Sequence, residues 1–151
     1  MIKIICVGKI KEKFYQEAVN EYIKRLSKYT KIEIFECKDY SELNPIEIVA
    51  KEKEEIMKYI SDRDYLITLE IEGNQIDSPT LATKIDQVFN THSTITFIIG
   101  GSYGLDDEIK KKSNYALSFS KMTFPHQLFR VILLEQLYRS YKINNNESYH
   151  K

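Results

Sequence analysis

The sequence has little cysteine, no long apolar run and no excess of either charge. Its two cysteines, Cys6 and Cys37, both lie in strand-like runs, where free cysteine usually behaves as a small buried hydrophobe. We therefore expect no disulfide. No group of His, Cys, Asp and Glu has the spacing of metal ligands, so we expect no metal site either.

Membrane insertion and export are also not expected. No segment approaches the roughly 20 consecutive apolar residues that a transmembrane helix needs. The opening stretch MIKIICVGKIKEK has a short apolar run followed by charges, without the apolar core and cleavage site of a signal peptide. The sequence therefore predicts a cytoplasmic protein with no membrane partner.

The charges of the chain are balanced, with 22 basic and 22 acidic side chains. Without an overall basic field, any contact with RNA would depend on local patches of charge. The 151 residues, of which 42% are hydrophobic, suffice for a buried core without covalent cross-links. Because we find no internal repeat, linker or low-complexity stretch, residues 1–151 are predicted to form a single domain.

Strand-like and helix-like patterns alternate along the chain. Strands are predicted at 2–8, 31–37, 65–71, 94–100 and 115–120, with a turn at 72–74. Helices are predicted up to about residue 29, from Asn44-Pro45 to about residue 60, from Ser78-Pro79 to about residue 90, from residue 106 or 107 to about residue 113, and from Pro125 onward. Because the central strands are continuously apolar, this pattern predicts an α/β fold with a mainly parallel five- or six-stranded sheet and helices on both faces.

Three loops follow predicted strands, at 69–73, 100–105 and 118–125, and ligands of open parallel sheets bind at the carboxyl ends of the strands. The glycines at 100, 101 and 104 suit a backbone that approaches a ligand closely, although a Gly-Gly pair is more often a tight turn. They match neither G-x-G-x-x-G nor G-x-x-x-x-G-K-[ST], and Ser102 lies outside a G-x-S-x-G motif. Spacing alone predicts a ligand-binding α/β domain.

Longer stretches of the chain carry a resemblance to a known family. The run IGGSYGL, the segment NYALSFSKMTFPHQLFRVILLEQLYRSYKI and the terminal SYHK closely resemble the RlmH family of SPOUT-class methyltransferases. The opening MIKIICVGKIKEKFYQEAVNEYIKRL and the strand LITLEIEG are similar to the corresponding parts of that family. The resemblance therefore spans the chain and is most specific in its C-terminal half.

The resemblance implies a fold and an activity that spacing does not predict. Family members transfer a methyl group from S-adenosylmethionine to N3 of a pseudouridine in large-subunit (23S) ribosomal RNA, and we expect the substrate to be the assembled ribosome. They are SPOUT-type homodimers with a C-terminal trefoil knot, which ordinary rules of chain connection would exclude. A homodimer also accounts for the last helix, which is apolar almost all round; Leu133 and Leu137 are expected to face the partner subunit.

The resemblance also assigns site residues. The cofactor site is implied to comprise Leu69, Gly100, Gly101, Gly104, Ser120, Lys121, Met122, Thr123, Phe124 and Pro125. Candidates for binding the substrate or accepting its proton are His126, Arg130, Tyr149, His150 and Lys151. Without the resemblance, His126 would be a capping or packing residue and SYHK a frayed end. Which residue accepts the proton stays open.

Two other functions are compatible with parts of the sequence. One is a ribosome-associated RNA-binding protein that lacks transfer activity, and the intact cofactor stretch SKMTFP argues against it. The other is a nucleotide-dependent oxidoreductase on a doubly wound sheet. The first strand is followed by CVGKIKEK instead of a dinucleotide fingerprint, which argues against the oxidoreductase.

Overall fold

The computed structural model describes residues 1–150, in which strands and helices alternate as predicted. The strands are β1 (Ile2–Val7), β2 (Ile32–Cys37), β3 (Tyr65–Gln75), β4 (Ile95–Ile99) and β5 (Tyr115–Ser118). The helices are α1 (Lys13–Leu26), α2 (Pro45–Met57), α3 (Ser78–Phe89), α4 (Asp107–Lys112) and α5 (His126–Asn144).

The described strands form one parallel sheet in the order β2-β1-β4-β3-β5. This confirms the predicted α/β fold and its parallel sheet, with five strands. The central strand β4 is buried at every position, from Ile95 to Ile99. Because all strands point the same way, the loops that follow β1, β3, β4 and β5 leave from one edge of the sheet.

Each face of the sheet has its own hydrophobic core, because alternate side chains of a strand point to opposite faces. On β1, Ile4 and Cys6 pack with α1, α3 and α5, whereas Ile5 and Val7 pack with residues of α2 and α4. Helices therefore cover both faces, as predicted. Both cysteines are buried, and burial raises the pKa of the Cys6 thiol to about 12.

Side-chain caps begin three of the helices. The Asn44 side chain accepts a hydrogen bond from the Glu47 amide at 3.0 Å, which confirms the predicted start of α2. Asp77, rather than Ser78, caps α3, accepting from the Thr80 amide at 2.9 Å. Asp106 caps α4 in the same way.

The predicted turn at 72–74 was wrong. Strand β3 continues to Gln75 and pairs with β5 on both sides of a register shift between Leu69 and Asn74. A Cβ atom at Gly73 would lie only 2.8 Å from the carbonyl oxygen of Ala116, so glycine allows the two strands to approach here. The glycine marks an irregularity inside a strand instead of its end.

The last helix packs differently from the expectation. Helix α5 lies against α1 and α3, and both Leu133 and Leu137 are fully buried in the core of their own chain. They cannot face a partner subunit, so that expectation was wrong. Spacing indicated an apolar helix, but it could not separate faces covered by the same chain from a face left for another chain.

Candidate functional site

The three predicted loops meet at the carboxyl edge of the sheet around a cleft of about 470 Å³, here called the glycine-loop cleft. Of the residues implied for the cofactor site, those that line it are Leu69, Gly100, Gly101, Gly104, Ser120, Met122, Thr123 and Phe124. Lys121 and Pro125 belong to the same loop but do not form its walls. The structure therefore brings together most of a set that is dispersed over more than fifty positions of sequence.

The walls of the glycine-loop cleft are mainly apolar. The side chains of Ile99, Leu117, Phe119 and Phe129 line it together with Leu69. The rings of Phe119 and Phe129 meet edge-on, with centroids 5.0 Å apart. Apolar walls with a few polar groups at the rim are typical of sites that bind a cofactor with a flat ring.

The glycine loop, residues 100–105, is a tight turn that leaves space beside its backbone. The Gly104 amide donates a hydrogen bond to the Gly101 carbonyl oxygen at 3.1 Å. Gly104 has a φ of +79°, which side-chain-bearing residues rarely adopt, and a Cβ atom placed there would have no neighbour within 4 Å. The main chain at Gly104 is therefore accessible to a ligand.

The loop after β5 is tied down by its own serines. The Ser118 hydroxyl donates to the carbonyl oxygen of Ile71 at 2.8 Å, which links the loop to β3. The Met122 amide donates to the Ser120 hydroxyl oxygen at 2.9 Å. The Met122 side chain is left 75% exposed at the rim of the cleft. The loop thus presents a fixed backbone and one free apolar side chain.

A second cleft, here called the polar cleft, adjoins the first and measures about 830 Å³. Both clefts are lined by Gly101, Ser102 and His126. The polar cleft also contains charged side chains from β2, α2 and the loops after β1 and β2, which are Lys9, Lys11, Glu12, Glu36, Lys38, Asp39, Glu52 and Glu55. Two ligands bound in these clefts would meet at the shared residues.

Among the proton-transfer candidates that the structure describes, His126 alone lines both clefts. It is the first residue of α5 and is half-buried. Burial, followed by the nearby Arg130 guanidinium, lowers the pKa of its imidazole below the ordinary value of 6.5. The ring is therefore neutral near pH 7 and can accept a proton, but it is a weaker base than an exposed histidine.

Arg130 lines neither cleft and is only 2% exposed. Its guanidinium donates to Glu36 at 2.7 Å and to the carbonyl oxygens of Val7 and Gly8 at 3.0 and 2.7 Å. These bonds fasten α5 to the ends of β1 and β2. Arg130 thus fixes the helix that carries His126 and does not itself touch the space available to a ligand.

The described part of the C-terminal tail (residues 149–151), which is Tyr149 and His150, lies along α5 and lines neither cleft of its own chain. The Tyr149 hydroxyl donates to Glu135 at 3.2 Å, and its ring packs edge-on against Tyr138. The His150 ring lies within hydrogen-bond distance of the Arg139 guanidinium, 3.0 Å away. Lys151 lies outside the described residues. Tyr149 and His150 are therefore docked on the helix surface, and they do not join His126.

Sequence reasoning missed Glu52, which lines the polar cleft and is only 3% exposed. Among residues 1–150, no donor bonds its Oε1 atom. Its carboxylate packs against Gly101, where a Cβ atom would lie 2.7 and 2.8 Å from the two oxygens. Burial, followed by repulsion from Asp39, raises the pKa of Glu52 to about 7.

One signal in the sequence could have identified Glu52. The buried positions of α2 are Ile48, Glu52 and Ile56, spaced by four residues as on one helix face. A carboxylate in the middle of an apolar stripe is unusual, because a buried carboxylate needs a partner or a raised pKa. The surrounding run KEKEE masks this signal, since all its members resemble a solvated helix surface.

The described residues contain neither a metal cluster nor a helix suited to span a membrane. Residues 1–150 contain no group of three or more His, Cys, Asp or Glu that could hold a metal ion. Within those residues, no helix combines the length and apolar character that a membrane span requires.

Comparison with known proteins places the chain in a family. The family model described as "Predicted SPOUT methyltransferase" matches residues 1–150. The chain belongs to the SPOUT methyltransferase family. The chain is also similar in structure to a "probable methylase family protein" from Haemophilus influenzae Rd KW20, with a TM-score of 0.56 and 14% identity, covering 99% of this chain and 70% of the other. At that identity the likeness concerns the fold.

The chain is also similar in sequence, over its full length, to several individual proteins. It is 50% identical over 157 aligned residues to the ribosomal RNA large subunit methyltransferase H of Clostridium botulinum, with 99% of each chain covered. It is 47% identical to the protein of the same name from Caldicellulosiruptor saccharolyticus, with both chains fully covered. A protein from Methanococcus maripaludis is 52% identical over 99% of each chain. The resemblance to the RlmH family is thereby confirmed.

Proposed function

We propose that this protein transfers a methyl group from S-adenosylmethionine to N3 of a pseudouridine in large-subunit ribosomal RNA, on the assembled ribosome. The observation that carries the proposal is the pair of adjoining clefts, one apolar and built on a glycine loop, the other polar, with Gly101, Ser102 and His126 common to both. Its relatives named ribosomal RNA large subunit methyltransferase H support ribosomal RNA as the substrate.

The glycine-loop cleft fits S-adenosylmethionine in size and chemistry. Its volume of about 470 Å³ lies within the range of small-molecule sites, and its apolar side chains suit an adenine ring. Leu69, Gly100, Gly101, Gly104 and the loop 120–125 would hold the cofactor, with the open backbone at Gly104 close to it. The cofactor, when bound, would supply an electrophilic methyl group.

The protein's own contribution to the reaction is mainly positioning. Holding an acceptor nitrogen in line with a reactive carbon can supply about 7–11 kcal/mol of the barrier reduction. The acceptor imide must also lose its proton, and the neutral His126 ring between the clefts is a candidate to take it. Arg130, which bonds Glu36 on β2 and the carbonyl oxygens at the end of β1, fixes the helix that carries this ring.

The rim of the polar cleft offers contacts for the RNA backbone. Lys9 and Lys11 after β1 and Lys38 after β2 are exposed there. In a chain with no net charge, such local cations are the groups that can contact phosphates. The affinity for RNA, and with it the rate of methyl transfer, is therefore expected to fall as the salt concentration rises.

We further propose that the protein is a cytoplasmic homodimer with a C-terminal trefoil knot, as the family resemblance implies. The position of the tail supports a role for a second chain. Tyr149 and His150 lie away from the clefts of their own chain, so their proposed contact with substrate requires either movement of the tail or a partner's cleft. We propose that the tail of each subunit contacts the substrate bound in the cleft of its partner.

Mixed dimers test the arrangement of the tails. One variant lacks residues 149–151 and the other carries a disabled glycine loop, and each is inactive alone. Mixing them should restore up to a quarter of the wild-type activity. Half of the dimers then contain one chain of each variant, and in each of these dimers one of the two clefts has both an intact glycine loop and an intact tail from the partner. Mixtures without activity would show that each tail serves its own chain.

Calorimetric titration tests the cofactor proposal against the oxidoreductase alternative. We expect S-adenosylmethionine to bind to one site per chain and NADH to give no heat. Binding of S-adenosylmethionine without methyl transfer to ribosomes would instead favour a ribosome-associated binding protein. Binding of NADH alone would refute the proposal.

A further inference from the structure

We propose that Glu52 accepts the proton of the imide nitrogen that receives the methyl group, an inference that rests on the proposed function. The buried Glu52 carboxylate lines the polar cleft and packs against Gly101, which forms part of the wall shared by the two clefts. A group at this wall is close to the place where an acceptor base bound in the polar cleft would meet a cofactor bound in the glycine-loop cleft. Of the candidates from the sequence that lie within residues 1–150, only His126 also lines this wall.

One carboxylate oxygen of Glu52 is buried without a hydrogen-bond partner among residues 1–150. Buried polar atoms are nearly always hydrogen-bonded, yet Oε1 has no donor among residues 1–150 although the side chain is only 3% exposed. The ionised form of a carboxyl group only accepts hydrogen bonds, so in that form the partner that Oε1 lacks is a donor. An imide N–H in the polar cleft is such a donor, either directly or through one water molecule.

Glu52 and His126 differ in their strength as bases, because their pKa values shift in opposite directions. A general base works best when its pKa lies near the working pH. Burial and Asp39 raise the pKa of Glu52 to about 7, whereas burial and Arg130 lower that of His126. Glu52 is therefore the stronger proton acceptor of the two at neutral pH.

Other titratable groups face the same space and modify this behaviour. The acidic groups of the polar cleft are Glu12, Glu36, Asp39 and Glu55, with the Cys37 thiol beside them. The basic groups are Lys9, Lys11, Lys38 and His126. Binding of RNA phosphate to the lysines would remove positive charge from the cleft and strengthen Glu52 further as a proton acceptor.

The proton balance of the step is simple. The N–H bond of the imide breaks, its electron pair stays on nitrogen, and the proton forms an O–H bond with the Glu52 carboxylate. The nitrogen pair then forms the new bond to the methyl carbon, while the pair of the broken carbon–sulfur bond stays on sulfur. After the methylated base leaves, the Glu52 carboxyl group releases its proton to water in the polar cleft.

Glu52→Gln tests the inference, because glutamine keeps the size of the side chain but cannot take up a proton. We expect the rate of methyl transfer to ribosomes at saturating substrates to fall by about 100-fold or more, with S-adenosylmethionine affinity and KM for ribosomes within about twofold of wild type. The exposed Glu54 on the same helix gives a matched control, and Glu54→Gln should behave as wild type.

The dependence on pH separates a proton acceptor from a structural role. In the wild type the rate should rise through pH 7 as Glu52 ionises. Glu52→Asp should keep such a rise, and Glu52→Gln should lose it and recover only at alkaline pH, where the imide loses its proton unaided. In carboxyl-labelled protein without substrate, the ¹³C resonance that Glu52→Gln removes should titrate near pH 7.

Two outcomes would overturn the inference alone. One is a Glu52→Gln variant with the rate and pH profile of the wild type, and the other is a variant that loses only affinity for a substrate. Failure of the wild type itself to methylate ribosomes would instead refute the proposed function, and this inference with it. The wild-type reaction therefore distinguishes the two failures.

Discussion

Replacing Glu52 by glutamine should change how the stability of the protein depends on pH. The folded protein raises the pKa of Glu52 from 4.5 to about 7, so the folded state holds the proton more tightly than the unfolded state. The stabilisation is complete below pH 4.5 and is lost as pH rises to about 7 and above. At about 1.4 kcal/mol for each tenfold difference in acidity, the loss amounts to about 3 kcal/mol.

Glutamine carries no ionisable proton, so the variant should escape this loss. Its free energy of unfolding minus that of the wild type should increase by about 3 kcal/mol between pH 4.5 and pH 8. A buried amide without a partner can add a constant cost of about 1–3 kcal/mol, which does not depend on pH. The test therefore depends only on how the difference in the free energy of unfolding changes with pH.

Urea denaturation followed by circular dichroism at several pH values measures that slope. Glu54→Gln on the same helix should show no such change, because Glu54 is exposed beside Lys51. A constant difference between Glu52→Gln and wild type across this pH range would show that the pKa of Glu52 is not raised.

Three further predictions concern the glycine loop, the core and the tail. Gly101→Val should lose S-adenosylmethionine binding in calorimetry, because the added side chain would meet the Glu52 carboxylate and distort the loop; unchanged affinity in a folded variant would remove this loop from the site. Leu137→Glu should unfold the chain, since it places a charge in the core, and a folded variant in circular dichroism would contradict that burial. Deleting residues 149–151 should lower the melting temperature by only a few degrees while methyl transfer falls sharply. Full activity of the truncated protein would leave the tail without a role in the reaction.

The layered fold was predictable because each local signal agreed with the others. Alternating apolar strands, the Asn44-Pro45 helix start and the acidic start of α4 all depend on neighbouring residues. The glycine-loop cleft was predictable for a similar reason, since parallel strands bring their following loops to one edge. The SPOUT family came from the resemblance of whole segments and not from any of these patterns.

The polar cleft could not be predicted because its groups meet only in three dimensions. Glu36 lies on β2, Glu52 on α2 and His126 at the start of α5, and no regular spacing in the sequence connects these three residues. The end of β3 was missed because Gly73 reads as a turn residue, and only the approach of Ala116 shows why glycine is needed there.

The position of the tail was beyond prediction for another reason. Polar residues near a chain end indicate fraying, whereas Tyr149 finds an aromatic partner on α5.

Transfer of a labelled methyl group tests the central claim most directly. Purified protein is incubated with labelled S-adenosylmethionine and with ribosomes, separated subunits or naked ribosomal RNA from a strain that lacks the enzyme, and the modified base is then mapped. We predict label at N3 of a pseudouridine in the large-subunit RNA, with assembled ribosomes as the best substrate. The absence of label from all three substrates, or label confined to another RNA or another atom, would contradict the account.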